Sequence, residues 1–172
     1  RTKHFAIRPR VEIQTEIAAV ARVEPGTRRV FLADGDALAA PVEHLLDILA
    51  ALRAAFPRLE RVSSYALPAN LLKKSAAELA QLRANGLTLL YYGIETGSAD
   101  LLKRITKGAT PEAMATGLGK AKEAGLKISA TVILGLGGQT YWREHIDGTA
   151  ELANQVELDY LSTLQLMIDP SI

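Results

Sequence analysis

Short aliphatic runs alternate along the chain with longer segments in which apolar residues recur at helical spacing. Such runs predict strands, and nearly continuous apolar character is typical of strands buried in a parallel sheet. Five strands are predicted: Arg29–Ala33, Val62–Ala66, Leu87–Ile94, Ile128–Leu134 and Tyr160–Ile168. Helices are predicted before the first strand and in every gap: Pro9–Arg22, Val42–Phe56, a helix capped by Ser75 and closed by Gly86, Ala99–Ile105, a helix from Thr110 to Gly125, and Tyr141–Gln155. This repeating βα order predicts a parallel α/β fold.

Helix-capping residues mark several of these boundaries. Ser75 and Glu78 have the spacing of a capping box. Ser98 and Thr110 stand immediately before helical patterns, as N-caps do, and Thr140 is expected to cap the last helix.

Right-handed crossovers between such units would curl the sheet into a barrel or wind it with helices on both faces. Because the first predicted element is a helix, we expect a further strand before it, which would bring the number of βα units to six. We expect residues 1–172 to form one domain. An open flavodoxin-like sheet is the alternative that is also compatible with this order of strands and helices.

Composition narrows the function classes. The 20 basic and 19 acidic residues nearly cancel, so the charge gives no reason to expect nucleic acid or an anionic membrane surface as a partner. No apolar run approaches the roughly 18 residues that a membrane span needs. There is no cysteine, which excludes disulfides and thiolate-held metal within these residues.

Candidate functional residues lie where predicted strands end, which is where parallel α/β proteins bind their ligands. Glu95 ends the strand LLYYGI and stands between Gly93 and Gly97, directly before a helix. A carboxylate at such a place is costly to bury unless something binds it. The first strand likewise ends in two acids around a glycine, Asp34-Gly35-Asp36.

The segments GIETGS, followed by a lysine-containing run ending in Lys107-Gly108, and TVILGLGGQT resemble the radical S-adenosylmethionine (SAM) superfamily. The resemblance covers nearly the whole chain from His4 to Asp169. It implies a partial (βα)6, TIM-like barrel that lacks its first strand and its cluster loop. In that family three cysteines in the pattern C-x-x-x-C-x-x-C hold a [4Fe-4S] cluster. We therefore expect the cysteines to lie before Arg1 in a longer parent protein, and the fragment itself to be inactive.

The resemblance also implies roles for particular residues. Asp34, Gly35 and Asp36 fall on a motif that holds the amino group of SAM, although the usual form is G-G-E-P. Glu95 falls where the ribose or the methionine part is bound, and Lys107 matches a basic residue that pairs with the SAM carboxylate.

Three further strands contribute expected contacts. Tyr65 falls where family members place a polar residue near the ribose. The backbone at Ile133 and at Met167 is expected against adenine, and Thr131 takes an inward polar position beside them.

Ordinary structural roles are open for several of these residues. Asp36 suits an Asx-turn, Tyr65 can pack its ring in the core, and Lys107 can complement a helix dipole. Met167 can be core filler.

The three histidines, His4, His44 and His145, have no metal-ligand spacing, and His44 and His145 are predicted to be solvated on helices. No metal ligand is predicted within the chain.

The function implied by the resemblance is that of the catalytic domain of a radical SAM enzyme. With an external electron donor, the parent would cleave SAM reductively to a 5′-deoxyadenosyl radical that abstracts hydrogen from a substrate. We expect a cytoplasmic location and self-association of the isolated fragment.

Two alternatives stay open. One is a cluster-free βα-barrel lyase or aldolase with Glu95 as base and the loop from Gly135 to Gly138 for phosphate. The other is a degenerate barrel without catalysis.

Overall fold

Five strands pair side by side in sequence order in the computed structural model, which describes residues 6–33 and 35–167. The strands are β1 Arg29–Leu32, β2 Arg61–Tyr65, β3 Leu87–Glu95, β4 Lys127–Leu134 and β5 Tyr160–Gln165. Every neighbouring pair is parallel. The predicted parallel α/β sheet is confirmed, and the sequential order differs from the flavodoxin-like order, in which the second strand precedes the first.

The helices follow the predicted boundaries within one or two residues. They are α1 Arg10–Val23, α2 Val42–Ala55, α3 Pro68–Lys73, α4 Ala76–Ala84, α5 Ala99–Arg104, α6 Pro111–Glu123 and α7 Trp142–Val156, with a 3₁₀ turn at Ala37–Ala39. Sequence analysis missed the six-residue helix α3, which lacks the side-chain N-cap that marks the equally short α5.

Three of the predicted caps are confirmed. Ser75 and Glu78 form a reciprocal capping box, and the hydroxyls of Ser98 and Thr110 accept from amides of their first helical turns. The predicted cap at Thr140 is wrong, because α7 begins at Trp142 with Tyr141 at its N-cap position and no side-chain cap.

The apolar core lies between the sheet and the helices packed on one side of it. Alternate residues of the central strands supply buried side chains, among them Leu90, Tyr92, Ile128 and Ala130. The helices add a second set of fully buried side chains: Leu49, Leu71, Leu79, Leu82, Leu102, Met114 and Leu118. Burial of this interface fixes which sheet face meets the helices, since successive strand residues point to opposite faces.

Two histidine predictions are wrong. His44 on α2 and His145 on α7 are only 9% and 6% exposed, because both lie on the core-facing sides of their helices. His4 lies outside the described residues.

The opposite sheet face and both sheet edges are more open. Every residue of β5 is exposed, and α1 has no buried residue. Met167 is 88% exposed, which corrects its interpretation as core filler. Among the described residues, no helix combines the length and apolar character needed to cross a membrane.

Candidate functional site at the carboxyl ends of the strands

Glu95 ends β3 in an unusual backbone turn. The register of β3 against β4 shifts between Gly93 and Glu95, so that Ile94 is an extra residue in the ladder. Glu95 has a φ of 62°, and the amide of Thr96 donates to the carbonyl of Ile94 at 2.8 Å. A three-residue turn with positive φ is rare and strained for a residue with a side chain. The turn directs the chain from the strand into the N-cap of α5.

The carboxylate of Glu95 is paired with Lys107. Lys107 Nζ donates to Glu95 Oε1 at 2.8 Å, and the two side chains are 15% and 21% exposed. Lys107 follows α5, where positive φ angles at Thr106 and Gly108 turn the chain back. Each charge offsets the cost of burying the other, and the hydrogen bond between them is charge-assisted.

Gly93 makes room for this ion pair. A methyl group at this position would overlap the Glu95 carboxylate and lie 3.1 Å from Lys107 Nζ. The glycine of the GIE segment therefore has a steric function: the carboxylate folds over its Cα.

Hydroxyl groups lie on the neighbouring strands beside Gly93. Thr131 is the register partner of Gly93 on β4, and Ser162 is the register partner of Thr131 on β5. The two hydroxyl oxygens are 3.1 Å apart. Ser162, which sequence analysis missed, could have been found by extending the register of the inward position at Thr131 by one strand.

An aromatic cluster lies on the first three strands. The rings of Phe31 and Tyr65 meet edge to face at 4.8 Å, and Tyr91 lies 5.6 Å from Phe31 and 6.4 Å from Tyr65. Tyr91 is two residues before Gly93, so alternation puts both on the same face of the sheet. Tyr65 is half-exposed and is not core filler. Phe31 and Tyr91 were not predicted, although the same alternation indicates them.

Asp36 is engaged within the protein. It is the N-cap of the 3₁₀ turn, where its carboxylate accepts from the amide of Leu38 at 3.1 Å and from the side-chain amide of Asn70. Burial raises the pKa of Asp36, against the opposing effects of the Leu38 amide and of the Lys74 ammonium. This geometry is the Asx-turn that sequence analysis gave as the ordinary structural role of Asp36. Gly35 has a φ of 96°, and Asp34 lies outside the described residues.

The last two predicted positions lie near the ends of β4 and β5. Ile133 is half-buried within β4, and its strand runs into the glycine-rich loop before α7. Met167 follows β5, where the amide of Leu166 donates to the carbonyl of Leu134. The strand ends of β4 and β5 thus continue side by side to Leu166, one residue before Met167.

The donor set suits a zwitterionic ligand and does not suit an iron–sulfur cluster. A carboxylate, an ammonium and two hydroxyls can complement an amino acid head group and sugar hydroxyls. The chain has no cysteine, and within residues 6–33 and 35–167 no three His, Asp or Glu side chains cluster as a metal site would require.

Known proteins resemble this chain in sequence and in fold. The family model described as Radical SAM superfamily matches residues 2–153. The heme chaperone HemW of Bacillus subtilis is 25% identical over 159 residues, which are 91% of this chain and 41% of HemW. The chain therefore spans about two fifths of that relative's length.

Solved structures show the same fold. Coproporphyrinogen III oxidase (HemN) from Escherichia coli superposes with a TM-score of 0.73 at 19% identity, over 98% of this chain and 40% of HemN. Methylornithine synthase (PylB) superposes with a TM-score of 0.70 at 14% identity, over 97% of this chain and 46% of PylB. The predicted partial barrel of parallel strands is confirmed by these likenesses together with the five-stranded sheet.

Proposed function

This chain belongs to the radical SAM superfamily. On that premise we propose that the edge of its sheet where the strands have their carboxyl ends, here called the rim, binds SAM as part of a longer enzyme. The observation that best supports the proposal is the ion pair of Glu95 and Lys107, which presents opposite charges side by side at 2.8 Å. SAM carries the same two charges on its methionyl part, an ammonium and a carboxylate.

The side chains at the rim match the polar groups of SAM. The Glu95 carboxylate can accept from the ammonium or from a ribose hydroxyl, and Lys107 can donate to the carboxylate. Exchanging the protein ion pair for contacts with the ligand keeps both charges compensated. Tyr65 on β2 and Thr131 on β4 supply further hydroxyl groups on the same sheet.

Backbone contacts complete the proposed site. We assign the backbone near Gly35 to the methionyl part, and the backbone at Ile133 and Met167 to adenine. The Asp36 carboxylate already accepts two hydrogen bonds, so its proposed task is to shape the loop that carries Gly35.

SAM, when bound to a radical SAM enzyme, supplies a 5′-deoxyadenosyl radical for hydrogen abstraction from the substrate. The residues of this chain would bind, orient and shield it. They do not fit the [4Fe-4S] cluster, which we assign to cysteines of the longer parent. The parent's activity, its electron donor, its substrate and a cytoplasmic location are parts of the proposal.

The match of the family model over residues 2–153 favours this function over a cluster-free lyase. A lyase would use Glu95 as a free base, whereas Lys107 already donates to that carboxylate.

Titration calorimetry of the chain with SAM and with S-adenosylhomocysteine tests the proposal. We expect weak binding to the wild-type chain. Lys107→Ala should lower the affinity about tenfold, the loss of one charge-assisted hydrogen bond at a partly buried position. Glu95→Gln should also weaken binding. The fold should stay intact because the amide has the shape of the carboxylate, with a modest loss of unfolding free energy because the partly buried Lys107 loses its counter-charge.

Lys103→Ala is the matched control, since Lys103 is an exposed lysine on α5. Absence of binding to the wild-type chain, or an equal loss in Lys103→Ala and Lys107→Ala, would contradict the proposed site. For the parent protein, reconstituted with iron and sulfide and reduced without oxygen, we expect 5′-deoxyadenosine to form and to be lost in the Glu95 variant. A cluster-loaded parent that leaves SAM intact would contradict the proposed activity.

A further inference from the structure

The segment that follows Glu95 is held by buried hydrogen bonds to α7. Thr96 is fully buried, and its hydroxyl lies 2.8 Å from Nδ1 of His145. The same hydroxyl oxygen accepts from the amide of Ser98 at 3.1 Å. The imidazole of His145 therefore joins α7 to the segment that follows β3.

The contacts around Thr96 fit a neutral His145 ring. Burial lowers the pKa of His145, against the opposing effect of the Ile133 backbone, and so favours the neutral imidazole. Because Thr96 Oγ1 accepts from the amide of Ser98, its own proton is free to go to Nδ1 of a neutral ring. Thr96 Oγ1 and His145 Nδ1 are then both hydrogen-bonded, as buried polar atoms need to be.

A second contact holds the same segment one residue further on. The amide of Gly97 donates to the hydroxyl of Thr149 at 2.9 Å, and that hydroxyl donates to the carbonyl of His145. The backbones of Gly97 and Gly148 touch, since a methyl group on Gly148 would stand 2.8 Å from the Gly97 carbonyl oxygen. The turn after β3 is thus fixed to α7 at two successive residues.

We propose that His145, through Thr96, is a positioning residue that holds Glu95 in its strained turn and so keeps the carboxylate beside Lys107. A residue with a φ of 62° stays in that conformation only when its surroundings over-determine it. The Glu95 side chain contacts Lys107 at the rim. The residue that directly follows it, Thr96, is buried and bonded to α7, so Thr96 anchors the carboxyl side of the turn. This inference rests on the proposed SAM site.

The test compares hydroxyl-deleting and hydroxyl-keeping variants. Thr96→Val keeps the shape and removes the hydrogen bonds, whereas Thr96→Ser keeps the hydroxyl. We expect Thr96→Val to weaken S-adenosylhomocysteine binding about fivefold to tenfold, the effect of one net hydrogen bond, and Thr96→Ser to restore most of it. His145→Asn, which keeps a polar group near the position of Nδ1, should weaken binding less than His145→Leu.

Three comparisons separate a positioning role from an effect on general stability. In a Glu95→Ala background, Thr96→Val should have no further effect on binding, because the group that it positions is gone. Ile48→Val in α2 is the stability control, and it should leave binding unchanged at a comparable loss in melting temperature. Amide hydrogen exchange of the unliganded chain should show lost protection at Thr96, Gly97 and Ser98 in Thr96→Val, with β4 amides unaffected.

The outcomes distinguish the two proposals. If the wild-type chain does not bind S-adenosylhomocysteine, the proposed function fails and this inference fails with it. If the wild-type chain binds and Thr96→Val binds equally well, or weakens binding equally in the Glu95→Ala background, the positioning role alone is overturned.

Discussion

The ion pair between Glu95 and Lys107 depends on a residue that contributes no side chain. Gly93 leaves the space that the Glu95 carboxylate occupies, directly over the sheet. This steric relation is independent of any ligand, because it concerns only the packing of two residues on one strand. It therefore gives a prediction at the scale of a single residue.

We expect Gly93→Ala to displace the Glu95 carboxylate and to separate it from Lys107. The variant should bind S-adenosylhomocysteine at least about tenfold more weakly, since a charge-assisted hydrogen bond is disturbed. It should also lose about 1 to 3 kcal/mol of unfolding free energy, the usual cost of overpacking. Calorimetric titration and urea unfolding measure the two effects.

Gly119→Ala is the matched control for this prediction. Gly119 lies in α6 with nothing within 4 Å of the added methyl group. The change should raise stability by about 0.5 to 1 kcal/mol through the better helix propensity of alanine, and it should leave binding unchanged. A Gly93→Ala variant that behaves like Gly119→Ala would show that the glycine has no steric function.

At the scale of elements, the edge strand β5 is attached to the sheet by a carboxylate just before it. Asp159 accepts from Lys122 Nζ at 2.7 Å and from the amide of Ile128 at 2.9 Å. Partial burial works to raise the pKa of Asp159, but the hydrogen bonds from Lys122 and Ile128, together with the positive charges of Lys122 and Lys127, outweigh it and hold that pKa below its ordinary value of 3.8. The start of β5 is thus tied to α6 and β4 by a charged group.

The lowered pKa sets the direction of a pH dependence. A carboxyl group with a lower pKa in the folded state stabilises the fold above its unfolded pKa, and this stabilisation is lost as the pH falls through the folded value. Asp159→Asn should therefore cost about 1 kcal/mol near neutral pH, and the difference from wild type should shrink in strong acid. Urea unfolding between neutral pH and strong acid measures the difference in unfolding free energy between variant and wild type. Glu151→Gln on the exposed side of α7 is the control. A difference that is constant with pH would contradict the assignment.

At the scale of the whole molecule, the sheet has two edges that lack a second neighbour within the described residues. β1 pairs only with β2, and β5 pairs only with β4. The side chains of Leu161 and Leu164 on β5 are more than half exposed. Unpaired apolar edge strands favour pairing with another chain.

We expect the isolated chain to self-associate with increasing concentration, which is also the expectation from sequence analysis. Light scattering over a concentration series should show mass above that of the monomer. Leu164→Lys should shift the chain toward monomer, because a charge on an edge strand opposes pairing, whereas Glu151→Lys on α7 should not. A monomer at all concentrations with a cooperative melt at high temperature would contradict the prediction.

Local patterns in the amino-acid sequence were sufficient to predict the fold class and most helix ends. Aliphatic runs and helical periodicity are local properties, and caps such as Ser75 and Ser98 act within one turn, so both can be read without knowing the fold. The placement of Glu95 at a strand end followed from the same local signals. The family resemblance then supplied roles that the residues alone could not.

The contacts between distant residues, in contrast, follow from the packing of the elements in the fold. The pairing of Glu95 with Lys107 depends on the path of the chain after α5. The burial of His145, which sequence analysis predicted to be solvated, depends on which side of α7 faces β3 and β4. The engagement of Asp36 by Asn70 depends on the position of α3, a short helix without a side-chain cap to mark it. Such contacts join residues far apart in sequence, so their geometry is fixed by the packing of elements and not by any local pattern.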